Sequence, residues 1–195
     1  SHKYLTNRLA EMKGKKPEEM NIITCHLGNG GSVTAVKDGK SFKTSMGLTP
    51  LAGVMMGTRC GDIDPAIPLF LMKKHGCSAQ EVDDILNKKS GLYGVSGVSS
   101  DSRDIEAAVK AGTEKAILAH KMFVNRVVET VGGYYALMGG ADAVVFAGGI
   151  GENSPETRQE IIDGLAALGL KLDAEANNSR GEEVKISAPD SSMEV

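Results

Sequence analysis

The chain has 195 residues, of which 41% are apolar and 24% charged, and a formal charge of −3 at pH 7. That length is enough to bury a core, and the composition is that of an ordinary folded protein and not of a disordered one. The slightly acidic balance supplies no basic field for nucleic acid and no polybasic patch for a membrane, so neither is expected as a partner. Twenty-four glycines and no tryptophan point to tight turns between elements of small aliphatic residues, as in α/β enzymes. Cys25, Cys60 and Cys77 are odd in number and lack CxxC spacing, and the four histidines form no HxxxH pair. Neither a disulfide framework nor a zinc site is suggested. No apolar run approaches the ~20 residues of a membrane helix and nothing at the start reads as a signal peptide, which leaves the cytoplasm as the expected location.

In chain order, Tyr4 to Met12 reads as a helix ended by Lys13-Gly14-Lys15-Lys16-Pro17. Asn21-Ile22-Ile23-Thr24-Cys25 is a short β-branched strand, and Ser32-Val33-Thr34-Ala35-Val36 alternates as a strand with one solvent face would. Between them lies the glycine-rich tip His26-Leu27-Gly28-Asn29-Gly30-Gly31. Lys37-Asp38-Gly39-Lys40 has the Asp-Gly pattern of a type I′ hairpin, so three antiparallel strands open the fold. Met46 to Gly61 reads as a long, mobile, irregular loop, of the kind that often carries function. Asp64-Pro65 starts an apolar helix that runs to His75-Gly76, and Ser78-Ala79-Gln80-Glu81 is a capping box for the next, closed by Ser90-Gly91. Ser100 or Asp101 caps a further helix, and Thr113 opens a long one expected to stop before Gly132-Gly133. Asp142 to Ala147 is a continuous apolar run, the pattern of a central strand covered on both faces. Gly148-Gly149-Ile150-Gly151-Glu152-Asn153 then turns into a helix holding Ile161, Ile162 and Leu165, and Leu170 to Asp173 and Val184 to Ser187 read as short strands. A single domain is expected.

Two glycine turns at strand ends suggest a nucleotide, because backbone N–H groups freed by glycine can face phosphate oxygens. The second turn lacks the GxGxxG spacing of a dinucleotide fold, and no Walker-type GxxxxGK[ST] occurs. A glycine-rich hairpin without a ligand is the plainer alternative for the first turn. Arg59, within Gly57-Thr58-Arg59-Cys60-Gly61-Asp62-Ile63-Asp64, suits stabilisation of a transferring phosphoryl group, or else pairs at the surface with Asp62 or Asp64. Asp62 and Asp64 read as a cap and a partner, or as a Mg²⁺ contact. Asp101-Ser102-Arg103-Asp104 reads as a ribose or base contact, or as a capped helix start with i,i+3 charge pairs. His26 is either a phosphate donor or a satisfied structural residue.

The order of four motifs, His26 to Ser32, Met56 to Pro65, Ser100 to Asp104 and Phe146 to Ser154, together with the opening Ser1-His2-Lys3-Tyr4, resembles the acetate kinase (acetokinase) family over essentially the full chain. The resemblance implies an α/β, actin-like ATPase (ribonuclease H-like) domain, with a mixed sheet opening in antiparallel strands and flanked by helices. It implies that residues 1–195 correspond to most of the second, nucleotide-binding domain, with the first domain and the C-terminal end absent. By the same resemblance His26, Leu27, Gly28, Asn29 and Gly30 form a phosphate loop, and Asp101, Ser102 and Arg103 with Gly149, Ile150, Gly151, Glu152 and Asn153 hold the adenosine. Arg59 stabilises the transition state and Pro50 lines the pocket for the acetate methyl. The implied reaction is reversible phosphoryl transfer from ATP to acetate, giving acetyl phosphate and ADP in a cytoplasmic homodimer, with Mg²⁺ held by groups outside this chain. The chain alone is then expected to be inactive. Propionate or butyrate kinase, or a non-catalytic nucleotide-binding or dimerising module, are the competing readings.

Overall fold

A mixed four-stranded sheet organises the first of two units into which the computed structural model, describing residues 1–195, divides: residues 1–45 with 124–195, and residues 46–123. The strands are β1 (Ile22–Leu27), β2 (Gly31–Lys37), β3 (Lys40–Thr44) and β4 (Ala143–Ala147), in the order β3-β2-β1-β4. β1 pairs antiparallel with β2 and parallel with β4, in register from Ile22↔Ala143 to His26↔Ala147. The three opening strands are antiparallel, and the α/β class and mixed sheet are those expected.

β2 departs from its pattern. It is buried on both faces, with Ser32 and Thr34 only 9% and 2% exposed. Alternation signals a wet face only if the polar side meets water, and here it meets protein. Ser32 Oγ lies 2.7 Å from Nε2 of His2, on helix α1 (His2–Lys13), and Thr34 Oγ1 donates to Thr44 Oγ1 at 3.2 Å. β3 is exposed throughout, and its lysines blunt an open sheet edge.

β4 also differs from expectation. It is the outer strand of the four, carrying on its far side only an isolated parallel bridge from Ala143 to Glu194, and Val145 and Phe146 are half-buried. The central place belongs to β1, whose Ile22, Ile23 and Cys25 are fully buried. A groove of about 610 Å³ follows the outer side of β4, bounded by Leu5 and Leu9 of α1 and by Val184 to Ile186. Val184 to Ser187 and Leu170 to Asp173 meet only in an isolated Leu172↔Ser187 bridge.

After β4 come α7 (Gly148–Asn153) and α8 (Pro155–Gly164), the latter capped by Ser154 accepting from the Thr157 N–H. The long helix α6 (Glu114–Met138) passes straight through Gly132-Gly133 instead of stopping there. Glycine costs about 1 kcal/mol in a helix interior. Burial of Val127, Val131, Tyr134 and Met138 on both sides of the pair outweighs that cost.

The second unit holds α2 (Ala66–His75), α3 (Ala79–Lys88), α4 (Gly91–Ser96), α5 (Ser102–Lys110) and the start of α6. Asp64 accepts from the Ala66 N–H at 2.8 Å, and the Ser78–Glu81 capping box forms as its sequence dictates. α4, a short helix where only a stop to α3 was expected, has no periodic signature. α2 buries none of its residues despite its apolar sequence. The 46–61 segment is irregular but firmly tied: Val54 and Met56 are fully buried, Cys60 N–H donates to Leu86, and Ser90 and Leu92 N–H groups donate back to Thr58 and Met56.

Asp38 and Gly39 have φ of 50° and 70°, the type I′ geometry, and a Cβ on Gly39 would sit 2.8 Å from the Pro17 carbonyl carbon. Gly39→Ala is therefore expected to lower stability by about 1–3 kcal/mol, measured by urea unfolding, whereas Asp38→Gly changes it by under ~1 kcal/mol.

Candidate functional site

β1 and β4 run parallel and end level with each other, His26 beside Ala147, so both glycine turns leave the same end of the sheet. The first closes on itself, with the Gly28 N–H donating to Gly30 O at 3.1 Å. The second begins at Gly148, whose φ of +79° and contact with β1 admit no side chain: a Cβ there would lie 2.7 Å from Leu27 O. A Cβ on Gly28 would in turn come within 3.6 Å of the Gly149 nitrogen. Gly28 of the first set (His26, Leu27, Gly28, Asn29, Gly30) is thus brought against Gly149 of the second (Gly149, Ile150, Gly151, Glu152, Asn153). Crevices beyond the carboxyl ends of parallel strands are where open α/β sheets take ligands, and paired backbone turns there suit an anion.

Within the second turn, Glu152 Oε1 accepts from the Gly148 N–H at 2.8 Å, and Asn153 Nδ2 donates to Gly149 O at 3.0 Å. A Cβ on Gly149 would meet nothing within 4 Å. That position faces open space, unlike Gly148.

The first turn rests on a buried polar network that sequence reasoning missed. His2 places Nδ1 2.7 Å from Thr24 Oγ1 and Nε2 2.7 Å from Ser32 Oγ, joining the two strands below the turn. Burial, then the nearby His26 and the amino terminus, hold the His2 pKa down to about 4. The signal available was indirect: Thr24, Ser32 and Thr34 sit in strands that are otherwise apolar, and buried hydroxyls demand partners. The His26 ring lies edge-on to His2 at 6.4 Å, and its buried Nδ1 has no hydrogen-bond partner. His26 is therefore not the fully satisfied structural residue of the plainer reading.

In the second unit, the Arg59 guanidinium reaches Pro50 O at 3.2 Å, placing together the two residues singled out for transfer and for the acyl pocket. It does not take up the alternative pairing with the neighbouring aspartates. Asp62 Oδ1 accepts instead from the Gly53 N–H at 2.8 Å, and Asp64 from Ala66. Asp101 is the N-cap of α5, accepting from the Arg103 N–H at 2.9 Å, and its two oxygens grip the Arg103 side chain at 3.0 and 2.6 Å. Those bonds pull the Asp101 pKa down to about 2. This pairing is i,i+2, between the cap residue and the second residue of the helix. Arg103 stays largely exposed, and Ser102 is the first residue of α5.

The acetokinase family model matches residues 1–195. The chain is 58% identical to an acetate kinase of Halothermothrix orenii and 55% identical to one of Methanosarcina thermophila, over its whole length and 49% and 48% of theirs. Among solved structures, the acetate kinase of Porphyromonas gingivalis matches with a TM-score of 0.96 and 46% identity, over 100% of this chain and 49% of that one. A propionate kinase of Francisella tularensis matches with a TM-score of 0.92 and 43% identity, over 98% and 48%. The chain spans about half the length of the curated relatives it matches.

The depressed His2 pKa fixes a sign. Between its ordinary value of 6.5 and about 4 the unfolded chain binds a proton that the folded chain does not, so this residue's contribution is complete above pH 6.5 and is lost as pH falls towards 4. Urea midpoints at pH 7 and pH 4.5 are expected to fall more for the wild type than for His2→Gln. Parallel declines would refute the assignment.

Proposed function

Because the chain belongs to the acetokinase family, we propose that it forms most of the second, nucleotide-binding domain of an ATP:acetate phosphotransferase, acting with Mg²⁺ as a cytoplasmic homodimer. The observation that carries this reading is the juxtaposition of the two glycine turns at the ends of β1 and β4. One turn offers backbone N–H groups to the phosphates, and the other offers small, close-packed backbone to the nucleoside. Acetate carboxylate is already anionic at neutral pH, so it attacks the γ-phosphorus without a general base, and ADP leaves as the new P–O bond forms. The protein's task is to align anions and offset their repulsion. Arg59 serves the phosphoryl oxygens, where a planar guanidinium matches charge spread over several atoms. Its bond to Pro50 O supports a place for both residues beside the acyl group.

Asp62 and Asp64 each commit an oxygen to a backbone N–H, and no group of three or more acidic, histidine or cysteine side chains is arranged to hold a cation. In this reading Mg²⁺ is held by groups outside the chain, and the charge neutralisation the chain itself supplies is that of Arg59 and the backbone amides. The substrate class is a short-chain carboxylate, for which acetate is the choice named in the curated relatives and propionate in one similar structure.

Homodimerisation is supported by α2, which exposes Ile67, Leu69, Phe70 and Met72 with none of its residues buried. Sedimentation is expected to show a dimer of the chain that Phe70→Glu shifts towards monomer. Gly149→Val is expected to leave stability within about 1 kcal/mol of wild type, since the added atoms enter open space, yet to weaken ADP binding at least about tenfold by calorimetry. Unaltered ADP affinity in that variant would remove the nucleotide from this site. Acetyl phosphate formation from ATP and acetate by the chain alone is expected to be undetectable.

A further inference from the structure

Arg158, on the first turn of α8, is only 3% exposed, yet all four of its hydrogen bonds go to carbonyl oxygens and none to a carboxylate. Burying a guanidinium among neutral acceptors costs desolvation, which with the nearby Arg180 charge lowers the Arg158 pKa while the Glu156 carboxylate opposes it only in part, and such a cost is tolerated where the fork geometry fixes something. Its reach shows what is fixed. Nη1 donates to Gly151 O of the second glycine turn at 2.9 Å. Nε donates to Asn177 Oδ1 at 2.9 Å, and Nη2 to Asn177 O at 2.6 Å and Ser179 O at 2.8 Å. Asn177 in turn donates to Pro155 O at 3.0 Å, which ties the same segment to the start of α8.

The last carbonyls of a helix lack partners inside it. In α7 each finds one from outside: Gly151 O from Arg158, Glu152 O from the Gly181 N–H at 3.1 Å, and Asn153 O from Arg180. Residues 177–181 therefore form a strap behind the turn, and Arg158 is the buried side chain that bonds to both strap and turn. Arg180, by contrast, is about half exposed and also pairs with Glu156 at 3.8 Å.

We propose that Arg158 is a positioning residue for the nucleoside-contacting turn Gly148–Asn153, holding it through the Gly151 carbonyl and the 177–181 strap. This rests on the nucleotide reading above. Arg158 touches no ligand in this scheme. It sets where the Gly149 and Ile150 backbone stands relative to Gly28, a separation with no slack to spare given the contacts of Gly148 with Leu27. Lysine supplies one ammonium for four acceptors and restores the bracing only in part; methionine restores none.

The test compares wild type, Arg158→Met and Arg158→Lys in the 195-residue chain by calorimetry with ADP and with inorganic pyrophosphate, and by hydrogen exchange of residues 148–153. In Arg158→Met the ADP Kd is expected to rise about tenfold or more while pyrophosphate, held at the first turn, binds as before. Exchange is expected to accelerate at 148–153 and not in β1 or β2. Arg158→Lys is expected to fall between, and it carries the comparison should the methionine variant not fold. Unchanged ADP affinity and exchange in the folded variants would overturn the proposal, and so would a parallel loss of ADP and pyrophosphate, which marks general destabilisation. Failure of the wild type to bind ADP would sink the nucleotide reading of this chain instead, and the exchange comparison would still decide whether Arg158 braces the turn.

Discussion

The parallel pairing of β1 with β4 is the constraint on which the site depends. Antiparallel neighbours would send the two glycine turns to opposite ends of the sheet, and a slip of one residue would drive Gly148 into or away from the Leu27 backbone. The pairing is held by a β1 whose Ile22, Ile23 and Cys25 exclude water completely, and by a β4 whose Val144 does the same. Glycine at 148 is what lets the second turn form at that depth, because its φ is positive and a Cβ there would lie 2.7 Å from Leu27 O.

Polar groups under the turns follow one pattern. His2 is kept neutral by burial and used as a bridge between two hydroxyls, while Arg158 is kept among carbonyls. Both restrain backbone near a turn from behind. Asp101 and Arg103 sit at the other extreme, a bidentate pair at an exposed helix start where solvent screens much of the attraction. Rigidity is concentrated behind the turns, and adaptable charge lies in the open.

Much of this was legible in the sequence because local chemistry dictated it. The Asp38-Gly39 hairpin, the Ser78 capping box, the Asp101 cap and the strand-turn-helix from Ala143 to Gly164 each follow from residues a few positions apart. The failures arose where tertiary contacts decide. Ser32 and Thr34 alternate as though facing water, but a histidine 30 residues away supplies the partner for Ser32. Gly132-Gly133 carries a stop signal that core packing overrides, and the apolar run of β4 belongs to an outer strand, not a central one. Arg158 looks like a surface residue of an amphipathic helix until its spacing of three and four from Ile161 and Ile162 is noticed, which places it on the buried face.

The sheet unit is discontinuous in sequence, with residues 46–123, including the start of α6, interrupting it after β3. During synthesis β1 emerges long before its parallel neighbour: 143 − 27 = 116 positions separate Ala143 from Leu27, roughly 10 s at typical ribosomal rates. For that interval the apolar edge of β1 has no partner, and the loop to be closed is long enough to make this pairing the late, entropically costly step of folding. The inserted helices, built on local contacts, have time to form first. A ligand crevice assembled from both sides of such an interruption comes into being all at once, only after β4 has been made.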